Sequence, residues 1–225
     1  MRHDGGMISV IIPTLNAERL LPRCFDSLIG AAVRGVVREV IVADGGSTDT
    51  TQMIADAAGA HIVHAKPNRG AQMIDGARIA RSDWLLFLHP ETALEPGWDV
   101  EAESFLAQAE MEQPRAAVFR FALEDFGGEA RRAEFLANAR AALFALPYGD
   151  QGLLIPKRLY TKLGGYRALS DMEDADLVRR IGRRRLISLR ARAVNVARPK
   201  QSVLRGAALT LLHKLRVPSR LLANL

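Results

Sequence analysis

Short apolar runs alternate with longer stretches of helical spacing through the first ninety residues. Met7–Pro13 is apolar, rich in β-branched side chains, and stops at proline, which predicts a parallel strand buried on both faces. Glu18–Ala31 follows with Leu20, Leu21, Cys24, Phe25 and Leu28 on one helical face. Val36–Ala43 reads as a second strand, closed by Asp44-Gly45-Gly46. Ser47 or Thr48 can cap a helix running to Ala58. Ala60–Ala65 is a third strand, ended by Lys66-Pro67-Asn68, and Gly70–Ala80 a helix rich in small residues. Asp83–His89 closes the series as a fourth strand.

Four strand–helix alternations predict an α/β fold with a parallel sheet and right-handed crossovers. In such sheets ligands bind beyond the C-terminal strand ends. Thr14 and Asn16, Asp44, and His89 to Glu91 all fall at those ends. Downstream the pattern predicts a helix after Pro96 to Glu112, a strand over Ala116–Leu123 and a helix over Glu129–Leu146. A loop at Tyr148–Gly152, a short strand at Leu153–Ile155 and a helix from Pro156 to Leu163 follow, the last closed by Gly164-Gly165. Asp171–Ile181 reads as a helix with an acidic start, Arg185–Val196 as strand, and Ser202–Leu225 as helix broken near Pro218.

Composition changes this picture little. The chain has 225 residues, 48% hydrophobic and 25% charged, as in an ordinary globular domain. No apolar run is long enough to cross a bilayer as a helix. Met1–Val10 lacks the basic-then-apolar order of a secretion signal, and Cys24 is the only cysteine, so the expected setting is a reducing cytoplasm. Charge is more informative. Residues 1–149 carry 14 Lys+Arg and 20 Asp+Glu, whereas 150–225 carry 17 and 5. The basic last third, with Arg183, Arg184, Arg185, Arg198 and Lys200, either forms a solvated face or attracts polyanions. The leucines and cations of 201–225 allow an amphipathic helix on the inner face of an anionic membrane, or equally packing against the domain or a second copy. Nucleic acid is not expected, since aromatic platforms and a known motif are both missing.

Asp44-Gly45-Gly46-Ser47-Thr48-Asp49 follows a strand and opens a helix. A carboxylate there can accept hydrogen bonds from a base or ribose, glycines admit close backbone approach, and helix-start N–H groups suit anions. An ordinary capped strand–turn–helix explains the same residues. A Walker loop is excluded because Gly-Lys-Ser/Thr is missing, and the dinucleotide fingerprint because no Gly-x-Gly-x-x-Gly follows the first strand.

Ile8 to Asn16, Glu39 to Asp49 and Asn68-Arg69-Gly70 together resemble the family 2 glycosyltransferases. Asp44 to Asp49, Leu146 to Gly152 and Met172 to Asp174 are similar to motifs of its small bacterial arsenosugar-biosynthesis-type branch. The resemblance implies a GT-A fold over 1–200, a mixed Rossmann-like sheet flanked by helices. It divides into a nucleotide-binding half at 7–95 and an acceptor half at 96–200, with a basic helical extension at 201–225. It also implies a nucleotide-diphosphate sugar donor, UDP-linked at the level of the family, an unknown acceptor hydroxyl, and inversion. Carried over, Pro13, Thr14, Asn16, Glu18, Asp44, Gly45 and Arg69 hold the donor. Glu18 is explained as well by the helix dipole.

His89-Pro90-Glu91 stands where related enzymes carry an Asp-x-Asp-like or His-Ala-Asp motif whose last Asp binds a divalent cation. Glu91 is therefore the expected ligand for Mg²⁺ or Mn²⁺, with His89 a second ligand or a structural histidine. Asp171-Met172-Glu173-Asp174-Ala175-Asp176 packs four acids into six residues at a helix start. The resemblance puts the general base in the Glu-Asp pair, at Asp174, with Glu173 second; helical spacing of about 100° argues against both facing one acceptor. Asp150 and Gln151 either orient sugar or acceptor, or simply accompany a glycine turn. Two rival functions stay open: a nucleotidyltransferase, and a non-catalytic nucleotide-sugar-binding relative with a degenerate metal motif.

Overall fold

A computed structural model of the chain describes residues 8–195 apart from 112–113, 126, 129, 133, 136, 139–148 and 170–171. The expectations for Asp171, Leu146 to Tyr148 and the extension at 201–225 lie outside the described residues.

Strands β1 (Ile8–Thr14), β2 (Val37–Asp44), β3 (His61–His64) and β4 (Trp84–Phe87) alternate with helices α1 (Leu21–Val33), α2 (Thr51–Ala57) and α3 (Arg69–Ile79). They form the expected parallel block, in the order β3-β2-β1-β4. Beyond β4 the sheet becomes mixed. It continues through β7 (Leu153–Pro156), β6 (Ala116–Leu123), β8 (Leu186–Asn195) and β5 (Thr92–Leu94), with β7 antiparallel to both β4 and β6. The sheet therefore runs unbroken across both halves of the chain. Helices α4 (Trp98–Met111), α5 (Lys157–Lys162) and α6 (Glu173–Ile181) complete the labelled elements.

β1 is buried at every position, as its unbroken apolar run demands. Its side chains alternate between two cores. Ile8, Val10 and Ile12 join α1 and α4, including Leu21, Leu28, Trp98 and Phe105. Ile11 faces Met73, Phe87, Tyr160 and Leu177 on the other side. α3 lies so close to β1 that a Cβ at Gly76 would come within 2.5 Å of Ile11 Cγ2. Trp98 is core rather than site, donating Nε1–H to the Ser27 carbonyl at 3.0 Å.

Two local expectations are corrected, and one short strand was unforeseen. α2 starts at Thr51, later than a cap at Ser47 or Thr48 requires, because the Ser47 hydroxyl bonds Asp44 and Asp49 Oδ1 accepts from the Thr51 amide. α6 starts at Glu173, since Met172 adopts left-handed backbone at φ 65°. β5 has no counterpart in the apolar pattern: it is three residues long and exists through its pairing with β8.

Candidate active site

Parallel register sets Thr14 beside Asp44, and the Leu88 amide bonds the Ile11 carbonyl. The tips of β2, β1 and β4 thus sit side by side, and two strand spacings, about 10 Å, separate the Asp44 and His89 columns.

Asp44 is fully buried and its carboxylate receives five hydrogen bonds. Thr14 Oγ1 (2.9 Å) and Ser47 Oγ (2.5 Å) donate to Oδ1; the amides of Gly46 (3.1 Å) and Ser47 (2.9 Å) and Gln52 Nε2 (2.8 Å) donate to Oδ2. Burial pushes its pKa up, but the Ser47 hydroxyl and amide, Gln52 and Thr14 push harder, and the carboxyl is held below its ordinary value. About four lone-pair positions exist on a carboxylate, so this one is saturated from within the protein.

The neighbouring donor-site candidates are woven into the same loop. Asn16, at φ 52°, accepts from the Thr48 amide at 2.9 Å, and its own amide donates to Ser47 Oγ. Glu18 accepts from the Thr50 amide and hydroxyl at 3.2 and 2.9 Å, so its carboxylate serves α2 rather than the helix it precedes. Pro13 pairs with Ala43 in the sheet. The Gly45 amide donates to the Thr14 carbonyl, and a Cβ there would lie 3.1 Å from Gln72 Nε2 and Pro67 Cα. Gln72 is a residue the sequence pattern missed: buried on α3, it donates to the carbonyls of Thr14 (2.6 Å) and Ala43 (2.8 Å), stitching both strand tips to one helix.

At the β4 tip, His89 is 2% exposed and stands among carboxylates from three separate segments. Nδ1 lies 3.4 Å from Asp150 Oδ1 and 3.7 Å from Glu91 Oε1; Nε2 lies 3.6 Å from Asp174 Oδ2. Neither ring nitrogen makes a hydrogen bond among the described residues. Burial pushes the imidazole pKa down, yet Asp150, Asp174 and Glu91 outweigh it and raise it well above its ordinary value. His89 with Glu91 and Asp150, and His89 with Glu173 and Asp174, each bring ligand atoms within 4.8 Å of one another. Imidazole nitrogen and carboxylate oxygen suit Mn²⁺ and, less well, Mg²⁺.

Glu173 and Asp174 each bring a carboxylate oxygen within 4.8 Å of a His89 ring nitrogen. Met172, in left-handed backbone, makes Glu173 the first helical residue of α6. Asp174 Oδ1 accepts from the Tyr166 hydroxyl at 2.7 Å. Burial pushes the Asp174 pKa up, but His89 and Tyr166 bring it below its ordinary value. Glu173 is buried with Oε1 3.4 Å from Arg69 Nη1 and, among the described residues, no hydrogen bond to Oε2. Burial, then the charge of Asp174, push its pKa up to about 7 against the opposing pull of Arg69. Arg69, at the start of α3, feels Glu173, Asp174, Glu91 and Asp150 together, and so bridges the donor-side loop and the acidic cluster.

Asp150 and Gln151 lie in a 3₁₀ turn at Gly149–Gln151. Gln151 is buried and donates to the Phe119 carbonyl at 3.0 Å, a packing role. Asp150 is steadied by Asn195, which donates to its carbonyl at 2.8 Å and accepts from Thr92 Oγ1 at 2.6 Å. Asn195, Thr92 and Tyr166 were invisible as site residues in the sequence, because each acts through a partner brought close by the fold.

The sequence profile of Glycosyl transferase family 2 matches residues 9–141. The PGL/p-HBAD biosynthesis glycosyltransferase of Mycobacterium tuberculosis is 37% identical over 95 residues, 39% of this chain and 36% of that protein. The glucosyl-3-phosphoglycerate synthase of the same organism is 48% identical over 93 residues, 37% of this chain and 28% of that protein. The matched stretch thus spans about a third or less of the length of these curated relatives. Among solved structures, the M. tuberculosis glucosyl-3-phosphoglycerate synthase with Mg²⁺ and UDP superposes with a TM-score of 0.68 at 23% identity, covering 95% of this chain and 81% of that one. Its complex with Mn²⁺ and UDP-glucose gives 0.63 at 23%, covering 95% and 80%. At such identity the likeness establishes the GT-A fold.

Proposed function

Because the chain belongs to glycosyl transferase family 2, we propose that it transfers a sugar from a UDP-linked donor to an acceptor hydroxyl, with inversion and the help of a divalent cation. The observation that carries this reading is His89, buried at the β4 tip between Glu91, Asp150 and Asp174. Ordinary core histidines do not gather three carboxylates.

The nucleoside would lie over the loop of Thr14, Asn16, Asp44 and Gly45. The saturation of Asp44 means that a base N–H reaching it displaces Ser47 Oγ or Gln52 Nε2, the donors able to rotate away. Arg69 is placed to meet the diphosphate by exchanging Glu173 for a phosphate oxygen. Glu91 and Asp150 would hold the cation, with His89 as a further ligand once the cation displaces a ring proton; the oxygen-rich donor set fits Mn²⁺ or Mg²⁺. Bound there, it would supply positive charge to the leaving diphosphate. Asp174 takes the acceptor proton. A base must touch its substrate, and the Asp174 side chain is 16% exposed whereas that of Glu173 is 2% exposed. Tyr166 and His89 keep Asp174 ionised, while Glu173 occupies the Arg69 guanidinium before the donor arrives.

Calorimetry with UDP, with and without Mn²⁺, followed by hydrolysis of a UDP-, GDP- and dTDP-sugar panel, tests the proposal. Metal-dependent UDP binding and turnover, both weakened at least tenfold in Glu91→Ala, are expected. A folded protein that binds none of these nucleotides sinks the reading. Binding without any turnover leaves only a non-catalytic relative.

A further inference from the structure

Gly70, the second residue of α3, is where the donor-side half of the molecule meets the loop leading to the acidic pair. A Cβ built on Gly70 would fall on the Arg167 carbonyl oxygen and within 2.9 Å of the Leu169 amide nitrogen. Both are backbone atoms, so no side-chain rotation can make room for it.

The two sides of this contact are unequally held. α3 is fixed at its start by Asn68 Oδ1, which accepts from the Ala71 amide at 2.9 Å. It is fixed further by Gln72, bonded to the tips of β1 and β2, and by Gly76, seated against Ile11. The loop after Gly164 is anchored at Tyr166, buried against Phe87 and Tyr160, but Arg167 and Ala168 beyond it are exposed, and two side-chain ties of the loop lead to α6 itself. Tyr166 Oη donates to Asp174, and Arg167 Nη1 donates to Asp176 Oδ1 at 3.0 Å. A side chain at position 70 would therefore displace the loop rather than the helix, and the displacement would pass through these tethers to Asp174.

We propose that Gly70 is a positioning residue. Its bare backbone lets the 166–169 loop seat on α3, and that seat sets Glu173 and Asp174 against His89 and Arg69. The inference rests on the transferase reading and adds to it a residue that touches neither donor nor acceptor.

Gly70→Ala tests it beside Gly30→Ala, a control in α1 whose Cβ would meet nothing within 4 Å. UDP affinity with Mn²⁺, saturated turnover of the best nucleotide sugar, and hydrogen exchange are measured on all three proteins. In Gly70→Ala, turnover should fall on the order of a hundredfold, the effect of moving a reacting group by about 1 Å. UDP affinity should stay within about twofold of wild type, and exchange should quicken at 166–169 but not in β1, β2 or α3. Unchanged turnover, or affinity falling in step with turnover, overturns the proposal. If Gly70→Ala does not fold, Arg167→Ala decides: it cuts the tether to Asp176 without touching α3, and the same split between turnover and affinity is required. If wild type turns over no nucleotide sugar, the transferase reading has failed separately. The exchange measurement then still judges the contact, which is lost if the loop in Gly70→Ala is as protected as in wild type.

Discussion

The Tyr166 hydroxyl donates to Asp174 Oδ1 at 2.7 Å, while Oε2 of the adjoining Glu173 is buried without a hydrogen bond to any described residue. Burial raises both carboxyl pKa values, but only Asp174 has partners strong enough to reverse it. Two neighbouring acids are thereby driven apart in proton affinity, the condition for giving them different roles. The ionised and more exposed one is suited to meet an acceptor; the buried one accepts from Arg69 at 3.4 Å.

Tyr166→Phe removes a single hydrogen bond that favours the charged form of Asp174. The Asp174 pKa should therefore rise, and the acid limb of the turnover profile should move to higher pH. Turnover on the plateau should fall about tenfold, since the carboxylate loses one of its two orienting contacts. Asp174→Asn should lose about 10²- to 10⁴-fold, the usual worth of a general base, with UDP affinity preserved. Profiles of both variants at saturating donor check this. An unmoved acid limb in Tyr166→Phe would mean that Asp174 is not the titrating group.

Asp44→Asn should be costly to the fold itself. Five donors converge on this carboxylate, and an amide would turn an N–H₂ group towards at least two of them. Opposed buried donors cost about 2–4 kcal/mol here, whereas Gln52→Ala, which removes one donor of five, should cost about 1 kcal/mol. Urea unfolding of the three proteins gives the comparison. Equal stability of wild type and Asp44→Asn would mean that the loop is held by something other than this carboxylate.

The parts of this architecture that could be read from sequence are the local ones. β1 announces itself because seven consecutive buried positions are apolar or small apart from Ser9 and Thr14, and the strand-tip turn at 44–49 because glycines and acids cluster there. Pairings over long separations left no such trace. Thr92 finds Asn195 across 103 residues, and a three-residue strand has no period to detect. Gln72 looked like a polar helix residue, yet it faces inward because two strand-end carbonyls need donors. The approach of Glu173 and Asp174 to His89, which stands on a distant segment, left no trace in the local pattern either.

Away from the site, Glu39 gives a pH test with the opposite sign to Glu173. Burial pushes the Glu39 pKa up, but the Ser9 hydroxyl (2.7 Å), the Arg81 amide (2.6 Å) and the charges of Arg81 and His61 bring it below its ordinary value. A carboxyl with a lowered folded pKa adds stability that is present above its unfolded pKa and lost as pH falls through the folded one. Glu39→Gln should thus be less stable than wild type at pH 7, by about 1–3 kcal/mol, with the gap closing below about pH 4. Glu173 runs the other way. Raised from 4.5 to about 7, it holds its proton in the folded state while the unfolded chain releases it, so wild-type stability is eroded as pH climbs across that window and then levels off. Glu173→Gln should match wild type near pH 4 and exceed it at pH 8, by on the order of 1–3 kcal/mol after allowing for the lost pairing with Arg69. Denaturant melts of both variants at pH 4, 6 and 8 settle the matter: as pH rises, wild type should gain on Glu39→Gln and lose ground to Glu173→Gln, and movement of both differences with the same sign would refute the assignment of at least one of these carboxyls.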